Sequence, residues 1–119
     1  MRFCLNCQSG LDIVKVRCGT CNLSLEGNFA LPRLARLTPE STHLAEIFLR
    51  TGGNLKVTAE MLQISYPTLR KRVDAMMAEF EALLRQDEVE ADRLLRSVEQ
   101  GHLSPEEAAR IGRERHGLQ

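Results

Sequence analysis

The sequence predicts a mainly α protein: a small N-terminal β ribbon, a helix-turn-helix core and a C-terminal helical hairpin. Three observations predict it. All four cysteines lie within the first 21 residues, as two Cys-x-x-Cys pairs. Aromatic residues are scarce, with four Phe, one Tyr and no Trp, so a core must be built from Leu, Val, Ile, Met and Ala, which suits helices. Between Gly52 and Met77, two short segments of helical periodicity, each behind its own cap, are separated by about three residues. The expected layout is a ribbon over 1–30, a packed linker over 31–37, the helix-turn-helix over 38–86 and the hairpin over 87–119.

In the ribbon, Cys4-Leu-Asn-Cys7 and Cys18-Gly-Thr-Cys21 are separated by ten residues. Each pair can bend its backbone so that both sulfurs point at one centre, and two pairs supply the four thiolates of a tetrahedral structural zinc site, one Zn2+ on Cys4, Cys7, Cys18 and Cys21. Disulfides and a redox pair are the competing readings. A reducing cytoplasm opposes the first, and a redox motif has no need of a second pair. Four cysteines leave no open position for a catalytic metal. Asp12–Arg17 and Leu23–Leu31, the latter interrupted by Gly27, read as the strands of this zinc ribbon. The segment is poor in apolar residues, so a metal would supply much of its folding free energy. Lys15, Arg17 and Arg2 are placed to offset the double negative charge of such a site.

Leu31, Leu34 and Leu37 recur every three residues in the linker and are expected to pack, with Arg33 and Arg36 together on the other side, either solvated or available to phosphates. Thr38-Pro39-Glu40 then opens a helix: a capping hydroxyl, a proline in the first turn and an acid that suits the helix dipole. Leu44, Ile47 and Phe48 form its stripe, and Gly52 ends it. Asn54 caps the next helix, whose inner face is Leu55, Ala59 and Leu62. Gln63-Ile64-Ser65 make the turn. Ser65 caps the following helix, Pro67 sits in its first turn, and Leu69, Val73, Met76 and Met77 line its inner face. The series Val73, Met77, Phe80, Leu84 is heptad-like but short, which favours packing within the chain over a dimer seam. Around Gln86-Asp87-Glu88 the apolar pattern breaks, predicting a kink or a short connection. A further helix is expected from Val89 to Gln100, with Leu94, Leu95 and Val98 on one face. After Gly101, Ser104-Pro105-Glu106-Glu107 is a capping box that starts the last helix. The final RERHGLQ is expected to fray.

The turn between the two central helices carries the functional reading. With Leu69, Val73 and Met76 facing inward, Lys71 lies farthest from the core, flanked by Arg70 and Arg72. Ser65, Tyr66 and Thr68 occupy the N-terminal end, the part of such a helix that meets base edges in a major groove. Arg and Lys neutralise phosphates, and Arg reads guanine. The same basic run also reads as an ordinary solvated face.

Together CLNC, CGTC, EGNF, LPRLARL and FLRTGGNLKVTAEMLQISYPTLRKRVD resemble a family of prokaryotic proteins catalogued as a domain of unknown function. Its members pair an N-terminal zinc ribbon with a helix-turn-helix like that of sigma-factor region 4. The similarity covers roughly residues 3–84. It implies zinc binding and double-stranded DNA binding in transcription regulation, inherited by analogy. Knuckles of this kind usually carry glycine after the second cysteine. Here those positions hold Gln8 and Asn22, and a left-handed backbone is easier for Asn than for Gln. The tail VEQGHLSPEEA is similar to short helical hairpins that mediate oligomerisation or contacts.

Lys+Arg and Asp+Glu both number 16, so the net charge is zero and any DNA affinity must come from a local patch. Residues 1–37 carry five basic and two acidic side chains, residues 38–84 five and six, and residues 85–119 six and eight. The neutral balance and the acidic tail therefore also suit a protein-interaction adaptor, docking on a protein partner such as the transcription machinery or on a homodimer mate through the C-terminal helices. An enzyme is disfavoured. His43, His102 and His116 are scattered, no carboxylate pair flanks a nucleophile, and no phosphate-cradling loop or small-molecule substrate site is evident. No apolar run approaches the length of a membrane span, and the early cysteines do not fit a signal peptide, which reads as a soluble cytoplasmic protein.

Overall fold

The computed structural model describes residues 3–116, with the side chains described as far as residue 114. Arg2 and the last three residues lie outside the described part. Two strands, β1 (Ile13–Arg17) and β2 (Ser24–Phe29), precede a short 3-10 turn (Arg33–Arg36). Four helices follow: α1 (Pro39–Arg50), α2 (Leu55–Leu62), α3 (Tyr66–Glu99) and α4 (Pro105–His116). The protein is thus mainly helical, with a small N-terminal antiparallel sheet. It forms two compact units, one of residues 1–32 with 86–119 and the other of residues 33–85.

The unit over 33–85 is a helix-turn-helix on a supporting helix. Its core is Leu44 of α1, Ala59 of α2, and Leu69 and Val73 of α3. Leu55, Leu62, Ile64 and Met76 pack against that core. Each cap does what its residue type allows. Thr38 Oγ1 accepts from Ser41 N, Asn54 Oδ1 from Val57 N, and Ser65 Oγ from Thr68 N. Thr58 is fully buried at the α1–α2 corner. Its hydroxyl lies 2.7 Å from that of Thr51 and donates to Asn54 O, so burying it leaves no polar atom stranded. Between α1 and α2, Gly53 has φ +83°, and a Cβ there would meet the Phe48 ring at 3.4 Å, so the turn needs glycine.

In the other unit β1 and β2 pair antiparallel, with Lys15 opposite Glu26 and Val16 opposite Leu25. Between the Ile13–Phe29 and Lys15–Glu26 pairs, β2 has one extra residue, a bulge at Gly27-Asn28. No side chain from residue 3 to residue 30 is buried. Helix α4 lies against β2, and its start is fastened by the reciprocal Ser104–Glu107 capping box.

Four expectations are corrected. The break at Gln86-Asp87-Glu88 does not exist: α3 runs unbroken from Tyr66 to Glu99. The apolar pattern is interrupted because Asp87, only 6% exposed, takes the inward position between Leu84 and Ala91, three and four residues away. With a partner of its own, it serves in place of an apolar residue. Leu31, Leu34 and Leu37 do not share a face. Leu37 is buried beyond the end of the 3-10 turn, where the chain enters the α1 cap, while Leu34 is exposed. Met77 is exposed too, leaving the heptad-like seam without one of its members. Residues 113–116 of the tail are helical rather than frayed.

Candidate functional site

The turn that aims α3 is made by Gln63, at φ 55° and ψ 42°, a left-handed C-cap to α2. Its N–H and that of Ile64 close on the carbonyls of Glu60 and Ala59. The chain reverses into Ser65, and α3 begins at Tyr66. Leu69 and Val73 are held in the core, so Tyr66, Thr68, Arg70, Lys71 and Arg72 are all exposed, as is Ser65. Ile64, partly buried, holds the turn against the same core.

These six residues are not equally available. The hydroxyls of Ser65 and Thr68 lie 2.8 Å apart and are engaged with each other as the α3 cap. Arg70 pairs with Asp74 one turn on, Nε to Oδ1 at 3.4 Å, in an exposed contact of small energetic weight. Arg72 lines a cleft of about 230 Å³ between α1 and α3, together with Glu40, His43 and Glu79. Tyr66 and Lys71 stand out from the helix. The structure therefore gathers Ser65, Tyr66, Thr68, Arg70, Lys71 and Arg72 at the start of one helix, with a carboxylate paired to Arg70 and two more lining the cleft that Arg72 lines. Arg33 and Arg36 do not form a solvated pair. Both are half-buried and engaged with partners. Lys56, the one basic residue of α2 and not among the residues expected at the site, is exposed in the first turn of that helix.

The four cysteines are free thiols held in two loops of the same design. In the first, Gln8 N donates to Cys4 O at 2.9 Å and Cys4 N to Ser9 O at 2.8 Å. In the second, fourteen residues on, Asn22 N donates to Cys18 O at 3.0 Å and Cys18 N to Leu23 O at 2.8 Å. Gln8 and Asn22 both have φ 62°, so the positions where glycine is usual take the left-handed turn all the same. Polar hydrogens converge on the sulfurs. Asn6 N lies 3.4 Å from Cys4 Sγ, and Ser9 Oγ lies 2.8 Å from Cys7 Sγ. The Ser9 hydroxyl, then its backbone, lower the Cys7 pKa, and the backbones of Cys21 and Thr20 lower that of Cys18. Each loop thus holds one sulfur whose hydrogen bonds favour its charged form, and four thiols are the donor set that a tetrahedral thiolate site would use. Among the described residues, however, no three His, Cys, Asp or Glu side chains are gathered at one point. Of the cations expected to offset the site, Lys15 is paired with Glu26 at 3.4 Å.

Residues 37–82 match the family model described as "Domain of unknown function (DUF2089)-HTH", so this helix-turn-helix segment is similar to a domain of an uncharacterised family. The ribbon and the hairpin lie outside the matched residues. No curated protein and no solved structure matches the chain. Among the described residues no helix is long and apolar enough to cross a membrane.

Proposed function

We propose that the chain is a zinc-binding helix-turn-helix protein that binds double-stranded DNA and regulates transcription. The observation that carries the DNA reading is the start of α3: a rigid core behind it, and Tyr66, Arg70, Lys71 and Arg72 exposed in front. A helix so mounted enters the major groove by its N-terminal turn. Tyr66, Ser65 and Thr68 then meet base edges, while Arg70, Lys71 and Arg72 contact phosphates or guanine. Lys56 adds a backbone contact from α2, the helix that crosses the phosphates in such units.

With about three phosphates neutralised by α3, log K should fall with log salt at a slope of about −3. The test is titration with a random-sequence duplex pool at several salt concentrations. Binding without salt dependence, or binding unchanged in Arg70→Ala/Lys71→Ala/Arg72→Ala, overturns the reading.

The metal part of the reading places one structural Zn2+ on Cys4, Cys7, Cys18 and Cys21. It rests on the two matching loops and their thiolate-favouring hydrogen bonds. The ion would supply charge neutralisation and cross-linking, drawing the two loops onto one centre, and the chain is a binding protein rather than an enzyme. Cobalt titration tests it: one equivalent should give the absorption of a tetrahedral thiolate site, lost in Cys18→Ser. No stoichiometric metal uptake would rule it out.

A second reading, a protein-interaction adaptor without DNA binding, is favoured by the ribbon. Val14, Val16 and Leu25 are exposed on one face of a sheet whose other face carries the Lys15–Glu26 pair. It predicts a one-to-one protein partner lost in Val14→Asp/Leu25→Asp and retained in the triple alanine variant.

A further inference from the structure

Beside the exposed start of α3 lies the cleft of about 230 Å³ that Arg72 lines. Three helices build it. On α3, Ala75 and Glu79 follow Arg72 at helical spacing, so the three share a face. On α1, His43 and Leu44 follow Glu40 by three and four residues and do the same. Leu62, the last residue of α2, joins the lining. Alanine on the α3 wall leaves the space between the helices unfilled, because its side chain ends at Cβ.

The polar groups of the cleft are of two kinds. Glu79 is already engaged, accepting the hydroxyls of Thr38 and Ser41, which line the same cleft. The side chains of Glu40, His43 and Arg72 have no hydrogen-bond or ion-pair partner among the described residues, although all three line one small space. An acid and two bases thus converge, unpaired, around Leu44, Leu62 and Ala75. A concave site with apolar lining and a few convergent polar groups is the usual form of a small-ligand site.

We propose that this cleft binds a small zwitterion, an α-amino acid with a short apolar side chain. Arg72 offers a planar fork that takes a carboxylate through two parallel hydrogen bonds, and His43 can donate another. Glu40, across the cleft on α1, takes the ammonium. Leu44, Leu62 and Ala75 meet the aliphatic group. A plain anion is the poorer occupant, because it meets Glu40 and Glu79 as well as Arg72, and a plain cation meets Arg72 with nothing to offer it. The volume, 230 Å³, is the liquid share of about eight waters, enough for a molecule of the size of valine. The consequence for DNA rests on the reading proposed above. An Arg72 held by a bound carboxylate is withdrawn from phosphate, so amino acid and duplex should each weaken the binding of the other by the same factor.

The test is NMR titration of the full chain with L-valine, and with isovalerate and isobutylamine, which each lack one of its charges. L-valine should shift the amides of residues 40–44 and 72–79 with a dissociation constant of about 1 mM or below, and each single-charge probe should bind about tenfold more weakly. Ala75→Leu should abolish binding by filling the space, and because Ala75 is exposed the helix can carry the larger side chain. Glu40→Gln should reduce the preference for valine over isovalerate to about threefold or less, a change of selectivity that loss of structure would not produce. Saturating valine should weaken duplex binding of the wild type and leave that of Ala75→Leu unaltered. Absence of shifts at these residues with all three probes overturns the proposal. Valine binding undiminished in Ala75→Leu, or a preference unchanged in Glu40→Gln, overturns it too, by placing the ligand elsewhere. A chain that binds valine but no duplex would sink the DNA reading and leave this site standing, whereas one that binds duplex but none of the three probes would sink the site alone.

Discussion

Glu79, on α3, caps the N-terminus of α1 from forty-one residues away: its carboxylate accepts the backbone N–H and the hydroxyl of Thr38. It also accepts the Ser41 hydroxyl at 2.6 Å. In a local capping box the third helical residue is Glu or Gln and reaches back to the cap N–H. Here that residue is Ser41, too short for the task, and α3 supplies the missing carboxylate. The negative charge also meets the positive end of the α1 dipole. Glu79→Ala should therefore lower the stability of the helix-turn-helix unit by about 1–2 kcal/mol, and Glu79→Gln by less. Denaturant unfolding of the full chain reads this directly, and an unchanged midpoint for Glu79→Ala would refute the clamp.

The two turns around α2 make opposite demands on the chain. Gln63 holds a left-handed conformation that costs a side chain roughly 1 kcal/mol, so Gln63→Gly should stabilise the fold by up to about that amount. Gly53, at φ +83° and against the Phe48 ring, should lose about 1–2 kcal/mol when replaced by alanine. Thermal melts of the two variants should move in opposite directions. A shift of the same sign in both would contradict the backbone account.

On the proposed DNA reading, Asp74 would compete with DNA for Arg70, to which it is paired at 3.4 Å. Removing its charge frees the guanidinium and takes a carboxylate away from the approaching phosphates. Asp74→Asn should tighten duplex binding about threefold at low salt, with the gain fading as salt rises. Weaker binding in Asp74→Asn would mean that the ion pair orients Arg70 for contact rather than restraining it.

On the proposed zinc reading, metal removal should act on one part of the chain. With no side chain buried between residues 3 and 30, the ribbon lacks a core to fall back on. A chelator, or Cys18→Ser, should collapse the amide dispersion of residues 3–30 in an NMR spectrum while residues 38–82 keep theirs. Equal loss in both segments would show that the helix-turn-helix leans on the metal as well.

What could be read from the sequence was local. The caps Thr38, Asn54, Ser65 and Ser104 were legible because a capping side chain acts on a backbone N–H within three residues. Leu69 and Val73 were legible from helical period alone. Glu79 was not, since nothing near it in the chain reveals its target on α1. Asp87 misled, because an acid at an inward position looks like the end of a helix until its burial is seen. Linker periodicity misled at Leu34 because the regular turn ends before Leu37. At the site, the sequence located the exposed cations of α3 but not the acids beside them. Asp74 follows Arg70 at a helical spacing and could have been paired with it, whereas the cleft that Arg72 shares with Glu40 and Glu79 depends on how α1 and α3 cross.

A two-stranded sheet with no buried side chain of its own has its ladder, its loops and the contact of α4 with β2 to resist local opening. The amides of β1 and β2 should therefore exchange with solvent through fraying of the ribbon alone, far below the free energy of global unfolding. Any ion held by the four thiols adds its binding free energy to that opening step. Protection of the ladder amides of β1 and β2 then becomes a gauge of metal occupancy, readable residue by residue in a protein whose helices exchange on their own, slower schedule.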